Sequence, residues 1–204
     1  MARPQPQAKK DTYHHGDLRS ALVEVALERV RRGGIDQFSL REAAREVGVT
    51  SGAVYKHFAD KDQLLAAVAG EALSLLAKRS FKATAGLEGA ARLHAAARAY
   101  IDFASAEPLL FRLAFSRFGA IGGECAPQGD GGTIPSAFEQ LRMAVAGVRA
   151  DPRTQVDTDV LAFAWAIAHG AASLISDGMW KKNDPRAEAA LRLSFTILSG
   201  KSKT

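Results

Sequence analysis

Apolar residues recur along this chain at intervals of three and four, the period of helices packed on one face. From Asp17 to Arg32, the residues Leu18, Leu22, Val23, Val25, Ala26, Leu27 and Val30 mark a helix with a wide buried face, and Gly33-Gly34 ends it. Asp60 to about Phe81 reads as a long helix with Leu64, Leu65, Val68, Ala72, Leu75 and Leu76 inward. Leu87 to Ala106 is Ala-rich and helical, and Pro108 starts the next element, PLLFRLAFSRF. Residues 119–132 hold six glycines and read as the flexible loop of the body. Helical patterning returns over Pro135–Arg149, Asp157 to about Met179, and from Asp184-Pro185 to Gly200. No strand pattern and no internal repeat is visible. The expected architecture is all-α, roughly nine helices in two units.

The densest punctuation lies between Ser39 and Leu65, SLREAAREVGVTSGAVYKHFADKDQLL. Ser39 with Glu42 is a Ser-x-x-Glu capping box that fixes one helix start. Gly48 stands where that helix must stop, at a position suited to a left-handed cap. Thr50 caps the next helix, which carries Tyr55, Lys56 and His57, and Asp60 with Gln63 opens a third. Ala43 and Ala44 are small enough for two helices joined by so short a turn to cross closely. That is a helix-turn-helix arrangement, whose second helix suits the DNA major groove.

Composition and charge add little to this. The chain has 204 residues, 47% hydrophobic and 24% charged, with a net charge of +5. That is ordinary for a globular protein with a sizeable core. The positive excess is divided nearly evenly between residues 1–62 and the remainder, so a nucleic-acid argument rests on the motif, with charge as a supplement. Cys125 is the single cysteine, which excludes an intramolecular disulfide. MARPQPQAKK lacks the apolar core of a secretory signal, and a cytoplasmic protein is expected. The longest uncharged stretch, Val160–Ser176, is 17 residues long and contains His169, Gly170 and two serines. A span needs about 20 residues, so a buried helix is expected and no membrane partner.

At the punctuated stretch the chain resembles the TetR family of bacterial transcriptional regulators. The matching residues are Ala44, Gly48, Val49, Thr50, Gly52, Tyr55-x-His57-Phe58, Lys61 and Leu64, together with Gly34 and the opening Tyr13-His14-His15-Gly16-Asp17-Leu18-Arg19. Ala43 stands where the family more often has Ile, Val47 where Ala is commoner, and Thr50 replaces a usual Ser while keeping the hydroxyl. Trp165-x-x-x-His169-Gly170, with Glu107-Pro108-Leu109-Leu110-Phe111-Arg112, is similar to a subgroup with a Trp-His-Gly signature in its ligand domain. Residues 1–12 are polar and are expected to form a flexible arm. The resemblance implies a DNA-binding domain over 13–62 and a ligand-binding and dimerisation domain over 63–204.

DNA recognition needs donors to phosphate for position and side chains at base edges for sequence. Ser39 and Thr50 lie at helix starts that favour phosphate oxygens. Gly52 keeps the recognition helix thin, Tyr55, Lys56 and His57 project from it, and Lys61 lies close to a backbone strand. In the family the matching positions contact DNA, mostly phosphate. Arg41, Ser51, Ala53 and Lys56 are the residues placed to see bases, Ala53 through a thymine methyl. Val49, Val54 and Phe58 are expected in the core. Arg3, Lys9 and Lys10 sit on a polar arm that is either a solvated tail or a tracer of the DNA backbone or minor groove.

An effector site needs a concave apolar space with a few polar groups. The candidates are Tyr100, Phe103, Phe111, Phe115, Phe118, Phe138, Trp165 and His169, any of which can equally serve as core. Trp165 and His169 are one helical turn apart and share a face. For the dimer, Ala162, Ala166, Gly170 and Ser173 form a stripe of small residues, and Ala187, Leu191, Ser194 and Leu198 share a face of the last helix. These two helices and their symmetry mates are expected to form a four-helix interface about a two-fold axis. That would set the recognition helices about 34–36 Å apart on a palindrome.

Enzymatic signatures are missing: no nucleophile elbow, no Gly-rich phosphate loop, no His-Glu-x-x-His. His14 and His15 lack the spacing that would complete a metal site. No cofactor is expected. Cys125 is either a redox sensor or a lone surface thiol. The chain is therefore expected to be a repressor that releases a double-stranded DNA operator when a small molecule binds its C-terminal domain. The rivals are a helical enzyme or carrier without DNA binding, and a constitutive regulator with no inducer.

Overall fold

A computed structural model describes residues 18–36, 38–119, 134–148 and 158–199. The arm, His14, His15 and Cys125 lie outside those residues. Among the described residues there is helix and no strand. The helices are α1 (Leu18–Gly33), α2 (Leu40–Val47), α3 (Ser51–Tyr55), α4 (Lys61–Thr84), α5 (Gly89–Ala106), α6 (Pro108–Ala114), α7 (Ala137–Ala146), α8 (Thr158–Ser176) and α9 (Pro185–Leu198).

The first three helices close over Leu22, Ala26, Val30, Phe38, Ala43, Ala44, Val54 and Phe58, all buried. Their core is continuous with that of the body through α4, whose Leu64, Leu65, Val68, Ala72 and Leu76 are buried along its length. α4 packs in turn on α1, α6, α5 and α7, so one unbroken helix of 24 residues borders both halves. It runs past the expected end at Phe81. The Thr84 hydroxyl donates to the Ser80 carbonyl at 2.9 Å, and the chain turns only at Gly86, with φ of 72°. α7 is shorter than expected and stops before Gly147, whose N–H bonds the Met143 carbonyl at 3.1 Å.

α8 lies mainly against α5 and α9. By length and composition it is apolar enough to cross a membrane. Its inner residues Leu161, Ala164, Ala168, Ala171, Ala172 and Ile175 are buried within the chain, which accounts for its apolar character on that side. The opposite stripe, Ala162, Ala166 and Gly170, is exposed, with Ser173 half-buried.

The last helix corrects an expectation. Ala187, Leu191 and Ser194 are 1%, 1% and 4% exposed, and Leu198 is half-buried. These residues face the chain's own body rather than a partner. The outward face carries Leu193 and Ile197, 64% and 57% exposed. Two positions along a helix turn through about 200°, so Leu191 and Leu193 point to opposite sides.

Candidate nucleic-acid interface and effector cavity

Each helix boundary of the first domain is made by its own local chemistry. Ser39 is extended, its hydroxyl oxygen accepts from the Glu42 N–H at 3.2 Å, and Ser39 Oγ donates to Glu42 Oε2 at 3.0 Å. Gly48 is left-handed at φ 79°, which lets the Val49 N–H reach the Ala44 carbonyl at 2.9 Å. Thr50 Oγ1 accepts from the Ala53 N–H at 3.3 Å and opens α3. Asp60 Oδ1 accepts from the Gln63 N–H at 2.8 Å, and Gln63 Oε1 takes the Ala59 N–H at 3.0 Å. Arg29 Nε, on α1, donates to Glu46 Oε2 of α2 at 2.6 Å, an exposed link between those helices.

α3 ends at Tyr55, earlier than the spacing suggests, so Lys56 and His57 lie on the turn that follows. The N–H groups of His57 and Phe58 both bond the Val54 carbonyl, at 2.9 and 3.0 Å, which draws Phe58 into the core. What remains outside is one polar face. Arg41, Thr50, Ser51, Gly52, Tyr55, Lys56 and His57 are exposed, while Ser39 and Ala53 are half-buried. Tyr55 is a large aromatic with 51% of its surface in solvent. A Cβ added at Gly52 would meet nothing nearer than Thr50 Oγ1 at 4.0 Å. Nothing inside the chain requires glycine there. Lys61 is half-buried and also braces the domain. Its Nζ donates to the Ile35 carbonyl at 2.7 Å and ties the start of α4 to the α1–α2 connection.

In the body, α4, α5, α7 and α8 do not close fully on one another. Small side chains on α4 and α5, among them Ser74, Ala77, Ser80, Ala96 and Ala97, leave a cavity of about 680 Å³. Tyr100, Phe115, Phe138 and Trp165 line it, as expected for aromatic candidates at such a space. Phe103, Phe111 and Phe118 do not. They are 0%, 2% and 5% exposed and pack in the core, Phe103 under the Arg79 guanidinium at 5.2 Å and Phe118 under that of Arg117 at 4.6 Å. His169 stands behind Tyr100, with Tyr100 Oη and His169 Nδ1 2.7 Å apart. Rings crowd this pair: Phe115 and Trp165 each lie 5.0 Å from the His169 ring, and Phe111 lies 5.6 Å from that of Tyr100. Burial pushes the Tyr100 phenol above its ordinary value, only partly offset by a hydrogen bond with Trp165, and burial pushes the His169 imidazole down. Both groups are therefore uncharged at neutral pH.

The contribution of α4 and of the segment before α7 to this cavity is not visible in the spacing of apolar residues, because Ser and Ala on a helix read as ordinary packing. Gln140 shapes the wall. Its Nε2 donates to the carbonyls of Ala77 on α4 and of Pro135, at 2.9 and 2.8 Å, and its buried Oε1 has no hydrogen-bond partner among the described residues.

Known proteins share this architecture. Residues 22–68 match the bacterial regulatory proteins of the tetR family, and residues 93–196 match the tetracyclin repressor-like C-terminal domain. The chain is 37% identical over 68 residues to the HTH-type transcriptional regulator AcrR of Shigella flexneri, covering 33% of this chain and 29% of that protein. It is 37% identical over 62 residues to the HTH-type nicotine-responsive transcriptional repressor HdnoR of Paenarthrobacter nicotinovorans, covering 30% of this chain and 32% of that one. Both matches thus span about a third of each curated relative. The whole fold is similar to the solved structure of a protein of unknown function from Rhodococcus sp. RHA1, with a TM-score of 0.67 and 28% identity over 94% of this chain and 98% of the other. With both halves matched in this order, the chain belongs to the TetR family of bacterial regulatory proteins.

Proposed function

We propose that this protein is a homodimeric transcriptional repressor that holds a palindromic operator through α3 and releases it when a small molecule enters the cavity bordered by α4. The observation that carries this reading is Gly52: a glycine with no steric reason inside the chain, beside exposed Tyr55, Lys56 and His57. A bare backbone there suits close approach by something outside, and a duplex flanked by hydroxyl and ammonium donors fits that face. The relatives' names, a transcriptional regulator and a transcriptional repressor, support the same reading. The exposed stripe of α8 with Leu193 and Ile197 of α9 supports pairing of two chains. The cavity supports an effector, since the same helix that lines it leads directly from the DNA-facing turn.

The deciding experiment is a gel shift with the promoter region of the protein's own gene. The expected result is binding that weakens steeply as salt rises, because phosphate contacts release counterions. No shift at low salt with the folded protein would overturn the reading.

A further inference from the structure

The four aromatic side chains that line the cavity come from separate elements: Tyr100 from α5, Phe115 from the end of α6, Phe138 from α7 and Trp165 from α8. Phe138 and Trp165 are 56% and 38% exposed, and although Trp165 has the His169 ring 5.0 Å away on one side, both rings leave surface open. Rings arranged this way offer offset and edge contacts to another ring on several sides. The volume of about 680 Å³ is that of sites for drug-sized ligands. At the inner end the polar chemistry is the Tyr100–His169 pair, 2.7 Å apart.

Among the described residues of the lining, the ionisable side chains apart from Tyr100 are Lys78 and Glu139, of opposite sign and both half-exposed. Glu139 is held by Arg142 through hydrogen bonds of 2.5 and 2.8 Å. A charged guest moving past them toward Tyr100 would lose water and meet no further counter-charge among the described lining residues, which is costly. An uncharged guest with one hydroxyl or carbonyl would keep a hydrogen bond there.

We propose that the cavity selects an uncharged, ring-bearing molecule, seated among Phe115, Phe138 and Trp165 with a single polar atom at the Tyr100–His169 pair. This rests on the effector reading given above and adds the chemical class of the effector. The uncharged, half-buried state of both partners of that pair agrees with it.

The test is calorimetric titration of the full-length protein at neutral pH with three probes of one ring system: 4-phenylphenol, biphenyl-4-carboxylate and 4-phenylbenzylammonium. The phenol is expected to bind at least tenfold more tightly than either ion. Tyr100→Phe, which keeps the ring and its packing, is expected to cost 4-phenylphenol severalfold in affinity and to leave 4-methylbiphenyl unchanged. Trp165→Ala, at a partly exposed ring, is expected to weaken all of the probes. Equal or tighter binding of the carboxylate or of the ammonium ion overturns the proposal, as does binding of none of them at millimolar concentration. The titration needs no DNA. A protein that binds the phenol but shifts no promoter fragment therefore retains the ligand class and loses the repressor reading.

Discussion

Arg31, at the end of α1, places its Nε 2.7 Å from Oε2 of Glu107, at the joint between α5 and α6. The contact joins the helix-turn-helix unit to the body, and Arg79 of α4 closes it from the other side at 2.8 Å to Oε1. The Glu107 side chain is 10% exposed. Burial alone would raise its pKa, but the hydrogen bonds and charges of the two arginines outweigh that and hold the carboxyl below its ordinary value. A carboxyl whose folded pKa is depressed adds stability above its unfolded pKa and loses it as pH falls through the folded one. Glu107→Gln is expected to destabilise the protein by about 1.5–3 kcal/mol at pH 7. Denaturant titrations of both proteins should converge as pH is lowered through and below 4.5, the unperturbed value. A gap that persists unchanged at low pH would mean that the carboxylate charge is not what holds the joint.

Gly52→Ala separates folding from DNA contact. A Cβ there has room within the chain, and alanine is the better helix former by about 1 kcal/mol. The expected outcome is a thermal midpoint equal to or above that of the parent, with operator affinity reduced at least tenfold. Tyr55→Ala and Lys56→Ala should likewise leave the circular dichroism intact and weaken the gel shift. If Lys56 meets a phosphate, its loss lowers the salt slope by about 1. Unchanged affinity in the Gly52 variant would place the duplex elsewhere.

Gln140 makes a third prediction. Its amide donates to two carbonyl oxygens, which fixes which end is nitrogen. Gln140→Glu puts a carboxylate against those oxygens in a site that is 2% exposed. A loss of about 2–4 kcal/mol is expected by denaturant titration, because two hydrogen bonds become repulsions in a buried setting.

The pairing of chains is tested at two helices. A Cβ added at Gly170 would meet no other part of its own chain within 4 Å, so Gly170→Glu is expected to fold as a monomer by light scattering and to lose operator binding. Leu193→Glu should do the same. Leu191→Glu should unfold instead, since Leu191 is buried in its own chain. A dimeric Gly170→Glu protein would move the interface off α8.

The parts of this fold that could be read from the sequence are those written within three or four residues. Ser39 to Glu42, Gly48, Thr50 to Ala53 and Asp60 to Gln63 each act on a neighbour, and each cap stands where its spacing put it. Faces set by distant packing were harder. α9 is apolar on two sides, and only its contacts with α8 and α5 decide that Leu191 turns inward and Leu193 outward. Phe103, Phe111 and Phe118 have the same composition as Phe115 and Phe138. Whether a phenylalanine fills the core or borders a cavity depends on the size of residues opposite it, here the alanines and serines of α4 and α5. The bond from Lys61 to the Ile35 carbonyl spans 26 positions and has no local signature.

The uncovered apolar surface of α8 and α9 also bears on copy number. Leu193 and Ile197 keep 64% and 57% of their surface in solvent in the single chain. Covering them by a second chain is a bimolecular event, so the resulting stabilisation follows mass action. Each tenfold dilution subtracts about 1.4 kcal/mol from the free energy of pairing. If the paired chains read a palindrome as proposed, its occupancy would rise with the square of the chain concentration until pairing is complete. On the proposed reading, the operator would stay open below that threshold whether or not an effector is present, and the protein's abundance would become a second input to the regulated gene.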